Sequence, residues 1–190
     1  MTMDMSFVLI KLIIVFCFIL SLLISNAETS NDLIFNICKK TRSPKLCSEI
    51  LRSNRRARKA SSLAELLDIS MEMGKSSAQA TKNMIIISRL RTRDRETKER
   101  YKSCVTNYDS AAYYLKLANY YLKNGDYVKV SRYIAAALNE PVSCRQNFGR
   151  PERVEPEGLK EGNDKLECLC SFGLVISNSL SGKNLSFAQV

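Results

Sequence analysis

Residues 101–144 read YKSCVTNYDSAAYYLKLANYYLKNGDYVKVSRYIAAALNEPVSC. Tyr101, Cys104 with Val105, Tyr108, Ala111 with Ala112, Leu115, Ala118 and Leu122 recur at steps of three and four. That period places one apolar stripe along a helix of about six turns. Gly125 stands where the chain must stop and reverse, and Asp126 can cap a second helix that carries Val130, Ile134, Ala137 and Leu138 towards Pro141. A bridge between Cys104 and Cys144 would staple the start of one helix to the end of its antiparallel neighbour. Closing a loop of about 40 residues contributes about 4 kcal/mol in the chain-entropy model.

The same period extends upstream. Ser62-Leu63-Ala64-Glu65 has the spacing of a capping box. It precedes a segment filled by Leu63, Leu66, Leu67, Met73, Met84, Ile85 and Ile87, running to about Leu90. Residues 89–100 are rich in arginine with Asp94, Glu96 and Glu99 interspersed, which reads as a solvated connection between helices. Nearer the N-terminus, Asn31 or Asp32 can cap a short helix through Leu33, Ile34 and Ile37 to Cys38. Ser43-Pro44 opens another through Leu46, Cys47, Ile50 and Leu51, with proline at the favoured first position. A Cys38–Cys47 bridge would tie these two into a hairpin, contributing about 2.7 kcal/mol. Residues 54–59 form a basic, polar connector behind it.

Downstream, residues 144–162 lack periodicity and hold Gly149, Pro151, Pro156 and Gly158 among alternating charges, as a surface loop does. Glu152, Glu155, Glu157 and Glu161 read there as a solvated acidic patch rather than as paired catalytic carboxylates. Leu166, Leu169, Phe172, Gly173, Ile176 and Leu180 make a final amphipathic helix that ends at Ser181-Gly182. No stretch sustains two-residue alternation. The expected fold is all-α: an up-down-up-down four-helix bundle over residues 61–182, preceded by a short disulfide-bridged helical hairpin over residues 28–54.

Residues 12–24 are almost wholly apolar, follow Lys11, and lead to Ser25-Asn26-Ala27. This is the pattern of a signal peptide, residues 1–27, cut after Ala27. The competing membrane anchor, residues 7–24, is interrupted by Lys11 and is short for a spanning helix of about 20 apolar residues. The reading is therefore a secreted, extracellular protein with no stable membrane insertion after cleavage. Cleavage removes Cys17 and leaves six cysteines, an even number that suits an oxidising compartment. The remaining chain is long enough for one domain, with residues 183–190 as a tail. Asn184-Leu185-Ser186 in that tail is an N-glycosylation sequon at Asn184.

The composition argues against catalysis. The chain has no histidine and no tryptophan, and no phosphate-binding glycine loop or G-x-S-x-G elbow. No enzyme activity, cofactor or metal ligand set is expected. The formal charge of +10 would suit nucleic acid, but export makes an acidic cell-surface polymer or an acidic protein the better partner. Cys168 and Cys170 point about 200° apart on a helix and cannot bridge one another. One is expected in the core and the other as a free thiol, in a monomer or in a dimer bridged through Cys168 or Cys170. Tyr113, Tyr114, Tyr120, Tyr121 and Tyr127 offer either packing or an aromatic contact surface.

The C-x8-C spacing, the phase of Cys104, Tyr108, Asp109 and Ala111, and the Ala135-Ala136-Ala137-Leu138 run leading to Ser143-Cys144 together resemble the plant invertase and pectin methylesterase inhibitor family. The resemblance implies a hairpin plus four-helix bundle, with disulfides Cys38–Cys47 and Cys104–Cys144. It also implies a proteinaceous inhibitor in the cell wall or apoplast that occludes an enzyme's substrate cleft in a stoichiometric complex. The invertase branch resembles a Pro-Lys-Phe motif after the reversing turn; here Gly125-Asp126-Tyr127-Val128-Lys129-Val130 keeps only the lysine. The pectin methylesterase branch is therefore favoured, with an inhibitor of acid invertase and a basic wall-binding module for demethylated pectin as the alternatives. The candidate partner interface is expected on the middle bundle helices between about Thr106 and Val142, with Thr106, Asp109, Ser110, Tyr113, Lys129 and the adjoining Ser143 as its candidate residues. Thr106 and Ser110 stand where the methylesterase branch often has acids, and Ser143 where it usually has threonine.

Overall fold

The computed structural model describes residues 11, 13–16, 30–149 and 154–182. Ile13, Ile14, Val15 and Phe16 are helical and more than half exposed, so this apolar stretch is no part of the core. The cleavage point after Ala27, Glu152 and the Asn184 sequon lie outside the described residues. Helices α1 (Ser30–Cys38) and α2 (Pro44–Ser53) form the hairpin, followed by a 3-10 turn (Ala57–Lys59). Helices α3 (Leu63–Arg91), α4 (Arg95–Lys123), α5 (Tyr127–Phe148) and α6 (Glu157–Leu180) form the bundle. Each packs on the next and α6 closes on α3, so α4 stands diagonally across from α6.

Local chemistry sets most helix starts. Ser62 Oγ accepts from the Glu65 N–H at 3.2 Å, and Asp126 Oδ1 from the Lys129 N–H at 3.0 Å. Gly125 turns the chain between α4 and α5 with φ of 71°, a conformation that favours glycine. The stripe read in the sequence is the buried face of α4: Tyr101, Cys104, Tyr108, Ala111, Leu115 and Ala118 are each at most 6% exposed. Disulfides join Cys38 to Cys47 and Cys104 to Cys144.

Several expectations need correction. The arginine-rich connection is only residues 92–94, because Asp94 caps α4 through the Thr97 N–H at 2.8 Å and residues 95–100 are helical. Helix α5 does not give way to a loop at residue 144. It carries the buried proline internally and continues to Phe148, where Tyr101 meets the Phe148 ring at 5.3 Å and the Cys104–Cys144 bond holds the last turns. Those tertiary contacts outweigh the lost backbone hydrogen bond. Helix α6 begins at Glu157, so Gly158 and Gly162 are helical, and Gly162 is buried against Thr81. Ile87, expected in the core, is 48% exposed near the end of α3.

Glu155 is not in a solvated patch. Its carboxylate pairs with Arg145 Nη1 at 3.1 Å and accepts a hydrogen bond from the Asn163 side-chain amide. Asn163 Oδ1 accepts from the Tyr108 hydroxyl at 2.7 Å, and Arg145 also pairs with Asp164 at 2.8 Å and Glu167 at 2.6 Å. This network fastens the chain entering α6 to α4 and α5. Burial drives the Tyr108 hydroxyl pKa upward, keeping it a neutral donor. Burial opposes the Arg145 charge, but its bonds to Glu167 and Asp164 prevail and raise its pKa. Glu157 and Glu161 remain exposed.

Only one of Cys168 and Cys170 is expected in the core, whereas both are interior free thiols. Cys168 is 5% and Cys170 1% exposed, both unbridged. The reason is the hairpin, which packs on the side of α6 that the bundle leaves uncovered. Every residue from 168 to 174 is buried, so opposite faces of one helix are both interior.

Candidate partner interface

Thr106, Asp109, Ser110 and Tyr113 follow the three-and-four spacing of one outward stripe on α4, opposite the buried stripe. Thr106 is exposed, with its hydroxyl turned back to the Lys102 carbonyl at 3.4 Å, and Ser110 is partly buried. Asp109 leans towards α3, pairing with Lys82 at 2.6 Å while its own side chain remains 57% exposed. Tyr113 is 58% exposed, and its ring meets Tyr114 at 6.0 Å.

Lys129 and Ser143 lie on α5, fourteen residues and so about 21 Å apart. Lys129 pairs with Asp126 at 2.8 Å and sits 4.8 Å over the Tyr121 ring. The hydrogen bond with Asp126 raises the Lys129 pKa and lowers that of Asp126. Ser143 Oγ donates to the Asn139 carbonyl at 2.9 Å. The structure thus brings four of the six candidates together on α4 and sets the other two far apart along its neighbour.

Sequence reasoning missed residues that link these two helices. Tyr133 stacks on Tyr121 at 5.4 Å with an interplanar angle of 6°, and Tyr120 meets Tyr121 edge-on at 5.2 Å. Asn107 donates to Glu140 at 2.7 Å. The step of seven from Tyr114 to Tyr121 signals a shared face, but Tyr133 is on a separate helix and its pairing depends on the reversing turn. Tyr127, expected in the tyrosine set, is partly buried at the first turn of α5.

The α4–α5 outer face is aromatic and nearly balanced in charge. From Cys104 to Cys144 the cations are Lys116, Lys123, Lys129 and Arg132, against Asp109, Asp126 and Glu140. Nothing there joins a nucleophile to a base, and no group of histidine, cysteine and acidic residues able to hold a metal occurs among the described residues. Its chemical capacity is contact: exposed tyrosines, hydroxyls and a few charges on a disulfide-stapled helix pair.

A family model for "Plant invertase/pectin methylesterase inhibitor" matches residues 32–176. The chain is 36% identical to a pectinesterase inhibitor from Actinidia deliciosa over 157 residues, covering 83% of this chain and 84% of the relative. It is 30% identical to pectinesterase inhibitor 2 of Arabidopsis thaliana, covering 82% and 87%. These relatives are named as inhibitors rather than as enzymes. The fold is similar to the crystal structure of a mutant form of a pectin methylesterase inhibitor from Arabidopsis, with a TM-score of 0.68 and 27% identity over 75% of this chain and 93% of that one. A crystal structure of a pectin methylesterase inhibitor from Arabidopsis thaliana gives a TM-score of 0.59 at 26% identity, covering 77% and 95%. On the matched hairpin and bundle, this chain belongs to the plant invertase/pectin methylesterase inhibitor family.

Proposed function

We propose that this protein is a secreted inhibitor of pectin methylesterase, acting in the cell wall as a monomer. It binds the enzyme in a stoichiometric complex through the α4–α5 face and blocks the substrate cleft without chemistry of its own. The observation that carries the reading is the 36% identity to a pectinesterase inhibitor across nearly the whole domain. The face itself supports it. A nearly neutral, tyrosine-bearing surface can approach a basic enzyme without the repulsion that the whole-chain charge of +10 would bring. Among the described residues, no helix is long and apolar enough to cross a membrane.

The test is titration of the purified protein against a pectin methylesterase and an acid invertase in parallel. Methylesterase activity should vanish near equimolar ratio while invertase is untouched. Thr106→Glu with Ser110→Asp, restoring the acids common in the branch, should tighten inhibition by about tenfold if those positions meet enzyme cations at the contact. Inhibition of invertase alone would move the protein to the other branch, and inhibition of neither would end the inhibitor reading.

A further inference from the structure

The excess positive charge is concentrated in the hairpin. Residues 30–60 carry nine lysines and arginines against only Asp32 and Glu49. Five of those cations fall in Arg52-Ser53-Asn54-Arg55-Arg56-Ala57-Arg58-Lys59, which has no acid. This stretch is built rather than loose. Asn54 Oδ1 accepts from the N–H groups of Arg56 and Ala57 at 2.9 and 3.0 Å. Ala57 is fully buried, and its carbonyl accepts from the Ser30 hydroxyl. Arg56 is tied to Glu72 on α3, and Arg58 Nη1 donates to the Arg52 carbonyl at 2.6 Å, closing the end of α2.

The buried alanine anchors the turn while Arg52, Arg55, Arg58 and Lys59 stand exposed around it. Cations fixed by a pinned backbone lose less freedom on binding than cations on a flexible tail. No acid falls within the run itself, unlike residues 89–100, where Asp94, Glu96 and Glu99 intervene, and the α3 acids Glu65, Asp68 and Glu72 act on Arg56, which the site does not use. The turn packs on α1, α2 and α3 rather than on α4 or α5, so a ligand held there leaves the α4–α5 face open.

We propose that the turn at residues 52–59 binds demethylesterified pectin, a linear polymer of uronic acid carboxylates. The choice of polymer rests on the methylesterase reading, because that enzyme's product carries the carboxylates that complement this surface. The inhibitor is thereby held on wall polymer that the enzyme has already processed.

The test measures binding of the secreted protein to polygalacturonate and to heavily methylesterified pectin at low salt, with no enzyme present. Polygalacturonate should bind at least about tenfold tighter, and added salt should weaken it steeply. The variant Arg52→Gln, Arg55→Gln, Arg58→Gln, Lys59→Gln should lose about tenfold in affinity, while Arg91→Gln, Arg93→Gln, Arg95→Gln, Lys98→Gln, of identical net charge, should lose less than about twofold. Because Arg58 also braces the backbone, Arg52→Lys, Arg55→Lys, Arg58→Lys serves as a second variant and should retain binding. Equal losses in the two glutamine variants, or equal binding of the esterified pectin, would overturn the proposal in favour of a nonspecific charge effect. Inhibition is read separately: full inhibition of methylesterase without polygalacturonate binding removes this inference alone. Polygalacturonate binding with neither enzyme inhibited removes the inhibitor reading and leaves the binding surface.

Discussion

Gly162→Ala probes how closely α3 and α6 must approach. A Cβ at position 162 would lie 2.4 Å from Thr81 Cγ2, 2.6 Å from Thr81 Oγ1 and 3.1 Å from Thr81 Cβ. Thr81 is buried at 7% exposure and β-branched, so rotation cannot carry both offending atoms away. Overpacking a tight contact costs about 1–3 kcal/mol. Alanine recovers up to about 1 kcal/mol of helix propensity over glycine. With the clash against the stiff near end of a side chain, a net loss of about 1–2 kcal/mol is expected. Gly158, in the same helix, is the control. A Cβ there would lie 3.9 Å from the Met84 sulfur and methyl, an ordinary contact, so Gly158→Ala should be neutral or stabilising by up to about 1 kcal/mol. Urea midpoints at unchanged slope measure both, and a Thr81→Ala background should abolish the loss at 162. A Gly162→Ala midpoint raised as far as that of Gly158→Ala, or a loss that persists without the threonine side chain, would refute the packing argument.

Peptide mapping of the unreduced protein should recover Cys38 joined to Cys47 and Cys104 joined to Cys144, and replacing both members of the second pair by serine should cost about 4 kcal/mol in the entropy model. A dominant crossed pairing contradicts the hairpin-plus-bundle arrangement. Cys168 and Cys170 should label as two free thiols per chain in denaturant without reductant, and scarcely at all in the native protein at neutral pH. Rapid native labelling, or no thiols in a monomer, would contradict the buried placement. Burial pushes the Cys168 thiol from its ordinary 9.0 up to about 12, and raises Cys170 as well. Between those pH values the unfolded chain loses the proton that the native chain retains, so stability falls as pH rises above about 9. Cys168→Ala with Cys170→Ala should make that alkaline fall shallower, and an unchanged slope would show that other groups control it.

Elements governed by local chemistry were legible in the sequence. The stripe on α4, the caps at Ser62 and Asp126 and the reversal at Gly125 all rest on residues within one turn of each other. Where partners are remote, the reading failed. Helix α5 extends past Cys144 to Phe148 because the Cys104 bond and Tyr101 ring hold its end from another helix. The first turns of α6 have no apolar period, since Asn163 and Asp164 face polar partners, Tyr108 and Arg145, that lie far away in sequence. Helix α3 buries Gly74, Ser77, Ala78 and Thr81, a stripe whose signal is small size rather than hydrophobicity. The outward stripe of α4 was legible as the face left over once the buried one is drawn, whereas the Tyr121–Tyr133 stack required the third dimension.

The hairpin connects these structural facts to function. It encloses the middle of α6, residues 168–174, on every side, which is why two thiols on opposite faces of α6 are both interior. The basic turn that follows it packs on α1, α2 and α3 rather than on the α4–α5 face. The charge follows the same division: residues 104–144 are nearly neutral, whereas residues 30–60 hold nine cations to two acids. Had the cations been spread over the α4–α5 face, long-range repulsion would oppose docking on a basic enzyme; had they been interspersed with acids, the hairpin's field would be weak. The net charge alone therefore says little about either contact. Its position on the fold permits one face to meet a protein by shape while a separate surface meets a polyanion by charge.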